Sequence, residues 1–167
     1  MKWIGISGSW RHSSPELVKD VTREVTTILK NGDGIVTGGA LGVDYLATEL
    51  ALSYAKDGSR LKIYLPTSLE IYIRHYMSRA AEGVITTEQA GELKTQLDKA
   101  NGAGCVHVER EAALVNQESY YMRDQDVVNA SDELLAFQVN NSAGTQDTID
   151  KARAKGIPCR VFAYQTS

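Results

Sequence analysis

The sequence predicts an α/β protein built on a doubly wound, mostly parallel, Rossmann-like sheet with helices on both faces. Two observations carry that expectation. Strand-like and helix-like stretches alternate along the chain, which forces crossover connections and a parallel sheet covered on both sides. The glycine-rich and polar motifs all fall at the carboxyl ends of the strand-like stretches, where ligands of such sheets sit.

The elements follow in order. "WIGIS" (3–7) is a short apolar strand. A helix follows to residue 30, with Leu17, Val18, Val21, Val25, Ile28 and Leu29 in one stripe. Its start has two candidates: Ser13 with Glu16 in capping-box spacing, or Ser14 before Pro15. Asn31-Gly32 ends it. "GIVTG" (34–38) is the second strand, and the next helix places Val43, Leu46, Ala47, Leu50, Ala51 and Tyr54 on one face. "LKIYLP" (61–66) is the third strand. Residues 68–80 and 86–102 read as helices, 104–109 as a strand and 118–130 as a helix. "ELLAFQ" (133–138) is a buried strand, 144–156 a helix ended by Gly156, and "CRVFAY" (159–164) the last strand. One domain over 1–167 is expected, with a helical insertion around 67–103.

The bulk numbers narrow the function. The 167 residues carry 18 Lys and Arg against 21 Asp and Glu, a formal net charge of −3. That balance disfavours a broad nucleic-acid surface, although it permits a small basic site. No apolar run reaches the roughly 20 residues of a membrane span, and the start reads as strand and turn instead of a leader. Cys105 and Cys159 lie among apolar neighbours, which fits reduced thiols in a cytoplasmic protein. His12, His75 and His107 are scattered without metal-ligand spacing, so no metal is expected.

Four loops carry the chemistry. After the first strand, "SGSWRH" offers Ser7, Gly8, Ser9 and Arg11, a set suited to an anion. After the second, "TGGALGVD" offers Gly38, Gly39 and Gly42, where a ligand can approach the backbone closely. Asp44 either accepts sugar hydroxyls, orders that loop or complements the helix dipole. In "YYMRDQDVVNASDELLAFQ", Arg123 and Asp124 come before a helix stripe and Asp132 introduces the strand. In "NNSAGTQDTIDKARAKGIP", Ser142, Gly144 and Thr145 sit where a helix begins, with Asp147 in its first turn. There is no GxxxxGK[ST], which excludes a P-loop NTPase. The first loop lacks GxGxxG, and Thr37 and glycines stand where a dinucleotide-binding domain carries a ribose-binding acid, which argues against a dehydrogenase.

"TGGALGVDYLA" and "RDQDVVNASDELLAF…SAGTQDTIDKARAKGIPCRVF" together resemble the SLOG superfamily, which groups DNA-processing-protein-A-like Rossmann domains with the LOG ("Lonely Guy") cytokinin-activating hydrolases. The resemblance covers roughly 3–55 and 118–163. It implies a doubly wound sheet, a crevice for nucleotides or nucleotide derivatives with no cofactor required, and frequent homodimers. Some members cleave the N-glycosidic bond of nucleoside monophosphates, and others bind ADP-ribose-type ligands. In the hydrolases an arginine before a helix and an acid after "GGxGT" do the chemistry, and the resemblance assigns these to Arg123 and Asp147. The hydrolase "PGGxGTxxE" has become "NSAGTQDTI", and Asp124 follows the arginine where Asn or Lys is usual. These departures weigh against hydrolysis more than against binding.

The expectation is therefore a nucleotide-derivative-binding protein, with N-glycoside hydrolysis as the second reading. A single-stranded DNA module is the third. It needs clustered cations and aromatics, and "EIYIRHYMSR" (70–79) is the one such patch, better explained by helix packing.

Overall fold

A computed structural model describes residues 1–110 and 114–166. Six parallel strands and six helices are found among them: β1 (Trp3–Gly8), α1 (Pro15–Lys30), β2 (Gly34–Thr37), α2 (Val43–Tyr54), β3 (Leu61–Tyr64), α3 (Leu69–Ala81), α4 (Thr87–Gly102), β4 (Val106–His107), α5 (Gln117–Asn129), β5 (Glu133–Val139), α6 (Ala143–Lys155) and β6 (Cys159–Tyr164). The strand order is β4-β3-β2-β1-β5-β6, with every pair parallel. The chain winds outward from β1 to β4, then returns to lay β5 on the other side of β1. The reversal point between β1 and β5 is where this topology leaves a crevice.

Strand alternation divides the core. On β5, Leu135 and Phe137 face the large cluster with Ile4, Ile6 and the buried stripe of α1. Leu134 and Ala136 face Val128 of α5 and Ile149 and Ala152 of α6. Thus α1, α2 and α4 cover one face and α5 and α6 the other. Asp132 locks the start of β5 to β1: its Oδ2 accepts the Trp3 N–H at 2.8 Å, and its own N–H donates to Trp3 O at 2.7 Å.

Several expectations shift in detail. Ser14 is the cap of α1, its Oγ accepting the Leu17 N–H at 3.2 Å with Pro15 in the first turn, so the Ser13–Glu16 capping box does not form. Val18 is 42% and Tyr54 49% exposed, so neither belongs to its stripe. The buried face of α2 is instead Val43, Asp44, Ala47, Thr48, Ala51 and Leu52. Two polar positions on that face hid the true face from a purely apolar pattern. The strand expected over 104–109 shortens to Val106–His107. Both middle helices form, and Tyr72 and Tyr76 of the 70–79 patch are buried. Cys105 is a buried and Cys159 a half-buried free thiol, and burial pushes both pKa values up. No helix of the described residues is long and apolar enough to cross a membrane.

Candidate functional site

A cavity of about 700 Å³ opens at the reversal point. It is lined by the β1–α1 loop, the β2–α2 turn, the end of α3, the first half of α5 and the start of α6. Ser7, Gly8, Ser9, Arg11, Gly38, Asp44, Arg123, Ser142, Gly144 and Thr145 all line it; Gly39, Gly42 and Asp147 do not.

Arg123 is the structural centre. It is 8% exposed. Its Nη1 donates to Gly38 O, its Nε donates to Asp124 Oδ1 at 3.1 Å, and its guanidinium lies 5.2 Å from the Tyr120 ring centre. Nη2 has no protein partner among the described residues. Burial opposes the charge on Arg123, yet Asp124, Tyr72, Asp44 and Tyr120 outweigh it and hold the guanidinium protonated. Asp44 Oδ2 accepts the N–H groups of Gly38 (3.0 Å) and Ala40 (3.3 Å). Burial pushes its carboxyl up, against the pull of Arg123 and those amides. Of the three roles open to Asp44, ordering the loop is the one its bonds perform.

The glycines of "TGGALGVD" require a correction. Their missing side chains make room for the protein itself. A Cβ on Gly38 would lie 2.6 Å from Arg123 Nη1, one on Gly39 2.6 Å from Leu65 Cδ2, and one on Gly42 2.2 Å from Ser9 O. In the β1 loop, a Cβ on Gly8 would lie 2.6 Å from Val43 Cγ2. Ser9 is likewise occupied, its Oγ accepting the N–H groups of Arg11 (3.3 Å) and His12 (2.9 Å).

The start of α6 differs. Asn140 (φ 51°) and Asn141 (φ 54°) turn the chain through the left-handed region, which asparagine tolerates. Ser142 makes no side-chain bond to the helix amides; its Oγ donates instead to Thr145 Oγ1 at 3.0 Å. The N–H groups of Ala143, Gly144 and Thr145 have no protein partner among the described residues, and a Cβ on Gly144 would meet nothing within 4 Å. Free amides and the positive end of the helix dipole suit an anion.

Asp147 sits behind the wall. Its carboxylate is held by Lys151 Nζ at 2.5 and 2.6 Å. Counting from Gly144-Thr145, the acid of "PGGxGTxxE" falls at position 148, where this chain has Thr148, a cavity-lining residue. Asp124, which sequence reasoning left without a role, does line the cavity beside Arg123. Burial pushes its carboxyl up to about 6, against the pull of Arg123 and with help from a hydrogen bond to Asp147. Also missed as lining residues were Trp10, His12, His75, Arg79, Tyr120 and Tyr121. His75 and Arg79 stood in the 70–79 patch, so a signal for them existed. Among the described residues no three His, Cys, Asp or Glu side chains cluster as metal ligands would.

Comparison of the sequence with family profiles and with curated proteins gives no match. Solved structures do match. The chain is similar to DNA processing protein A from Helicobacter pylori, a structure described for its single-stranded DNA binding mode (TM-score 0.71, 24% identity, 96% of this chain and 64% of that one). It is similar to DNA processing protein A from Streptococcus pneumoniae (TM-score 0.65, 20% identity, 99% and 51%). It is also similar to a molybdenum cofactor binding protein from Rippkaea orientalis (TM-score 0.60, 18% identity, 97% and 76%). The chain thus spans 64% and 51% of the two DNA processing protein A chains. What these likenesses show is the fold: an all-parallel, Rossmann-like α/β architecture, shared with DNA processing protein A.

Proposed function

We propose that the cavity between β1, α5 and α6 binds a nucleotide or nucleotide derivative through its phosphate. The observation that carries this reading is the open start of α6 facing the same cavity as Arg123. At a helix N-terminus, three amides and a buried guanidinium nitrogen that have no protein partner among the described residues provide donors for the phosphate. Among the described residues, the cavity lining holds Arg11, Arg79 and Arg123 against two carboxylates, Asp44 and Asp124, both already bonded to protein N–H groups. The site is therefore locally cationic in a protein of net charge −3. Tyr76, Tyr120 and Tyr121 supply walls for a base.

A panel of nucleoside monophosphates, ADP-ribose, NAD and cyclic dinucleotides tests the proposal by thermal shift. A specific ligand at a hundred times its Kd stabilises by ~2.7 kcal/mol. No shift with any of them sinks it.

The likeness to DNA processing protein A favours a second reading, in which the nucleotide is part of a single strand. Binding of single-stranded DNA that weakens steeply with salt supports it. Hydrolysis of an N-glycosidic bond has less support. The carboxylate placed to act is Asp124, because Asp147 is engaged by Lys151 outside the cavity. Base release followed by chromatography separates turnover from binding.

A further inference from the structure

We propose that the cavity has two anion-binding poles and takes a nucleoside flanked by phosphates on both sides. This rests on the nucleotide-binding reading and narrows it. The first pole is the start of α6 with Arg123. The second is the last part of α3, where His75 and Arg79 reach the cavity wall.

The aromatic ladder between them carries the argument. Arg123 lies 5.2 Å from the Tyr120 ring centre, and the Tyr120 ring lies 6.5 Å from the His75 ring. Tyr120 thus touches a group of each pole, and Arg123 and His75 stand no more than two ring-sized steps apart, within the reach of a nucleoside with an anion at each end. Arg79 stands close enough to His75 for its charge to add to burial in lowering the imidazole pKa. Among the described residues, the cavity-lining carboxylates, Asp44 and Asp124, both lie at the first pole. Arg79 Nη1 holds Glu82 at 3.2 Å, but that pair is 47% and 58% exposed. Exposed pairs of this kind are weak and screened, so a phosphate can displace Glu82. A nucleoside monophosphate fills one pole and leaves the other to water. The shared chemistry, a nucleoside between two phosphates, occurs as a free 3′,5′-bisphosphate or as one unit of a single strand.

Titration calorimetry with adenosine 5′-monophosphate, adenosine 3′,5′-bisphosphate and a 5′-phosphorylated tetradeoxynucleotide tests this on the full chain. The bisphosphate should bind about tenfold more tightly than the monophosphate, the worth of one charge-assisted hydrogen bond. Arg79→Ala and the double variant His75→Ala/Arg79→Ala should collapse that advantage. Arg74→Ala, on the same helix in an exposed pair with Glu70, should keep it. Melting temperatures verify that each variant is folded. Tighter binding of the tetranucleotide than of the bisphosphate assigns the site to a strand; the reverse assigns it to a free nucleotide. Equal affinity for mono- and bisphosphate, or an advantage that survives both Arg79 variants, overturns the two-pole assignment while leaving nucleotide binding intact. Binding of none of the three overturns both.

Discussion

The β2–α2 and β5–α6 turns have the same local design: a strand end, small residues, then an uncapped helix start. They end up as opposites. The first is closed by the protein itself. Arg123 fills the space beside Gly38, Asp44 gathers the loop amides, and the Val43 N–H donates to Ser9 O at 3.0 Å. The second is open among the described residues, with bare amides and empty space beside Gly144. A glycine-rich turn after a strand is therefore not in itself a ligand loop. What matters is whether the freed space is already filled.

The largest effect expected from breaking this contrast is at Arg123. Arg123→Met removes the bond to Gly38 O and strands Asp44 and Asp124 in the interior. Breaking a buried ion pair from one side costs roughly 3–5 kcal/mol, so denaturant titration should show that much loss. Gly42→Ala comes next. Gly42 has φ +72°, and its new Cβ would lie 2.2 Å from Ser9 O. Backbone strain of this kind costs about 1–3 kcal/mol, visible as a lower unfolding midpoint.

Asp124→Asn should act through pH. The Asp124 carboxyl is raised to about 6 in the folded chain from an ordinary value of 3.8. The folded state therefore holds this proton more tightly than the unfolded state, and the contribution of Asp124 to stability falls as pH rises from about 4 through 6. The parent should gain on Asp124→Asn as pH is lowered from 7 to 4.5; chemical denaturation at both values checks the sign. The smallest change in stability is expected at Gly144→Ala. The methyl enters open space, so stability should move by no more than about 0.5 kcal/mol. Nucleotide affinity should nonetheless drop, by about tenfold if the phosphate uses that space.

Local patterns were enough to read the sheet and most helices, because each strand is an apolar run and each helix an amphipathic one. β4 was overextended since only two of its residues pair with β3. The site was half legible. The loops singled out at the strand ends come together, and Arg123, Gly144 and Thr145 line one cavity. The use of the glycines was not legible, because the group that fills Gly38 lies 85 residues away. Nor was it legible that Asp124 lines the cavity and Asp147 does not. Both lie near the wall, and only the Lys151 contact and the orientation of α6 decide which one reaches the cavity.

The most direct test of the account is an amide NMR titration of the labelled protein with adenosine 5′-monophosphate. The largest shifts should fall on Ala143, Gly144 and Thr145, with the Arg123 side-chain Nε signal moving alongside them and Gly39 and Gly42 nearly still. Shifts centred on residues 38–42 with 143–145 unmoved would contradict it.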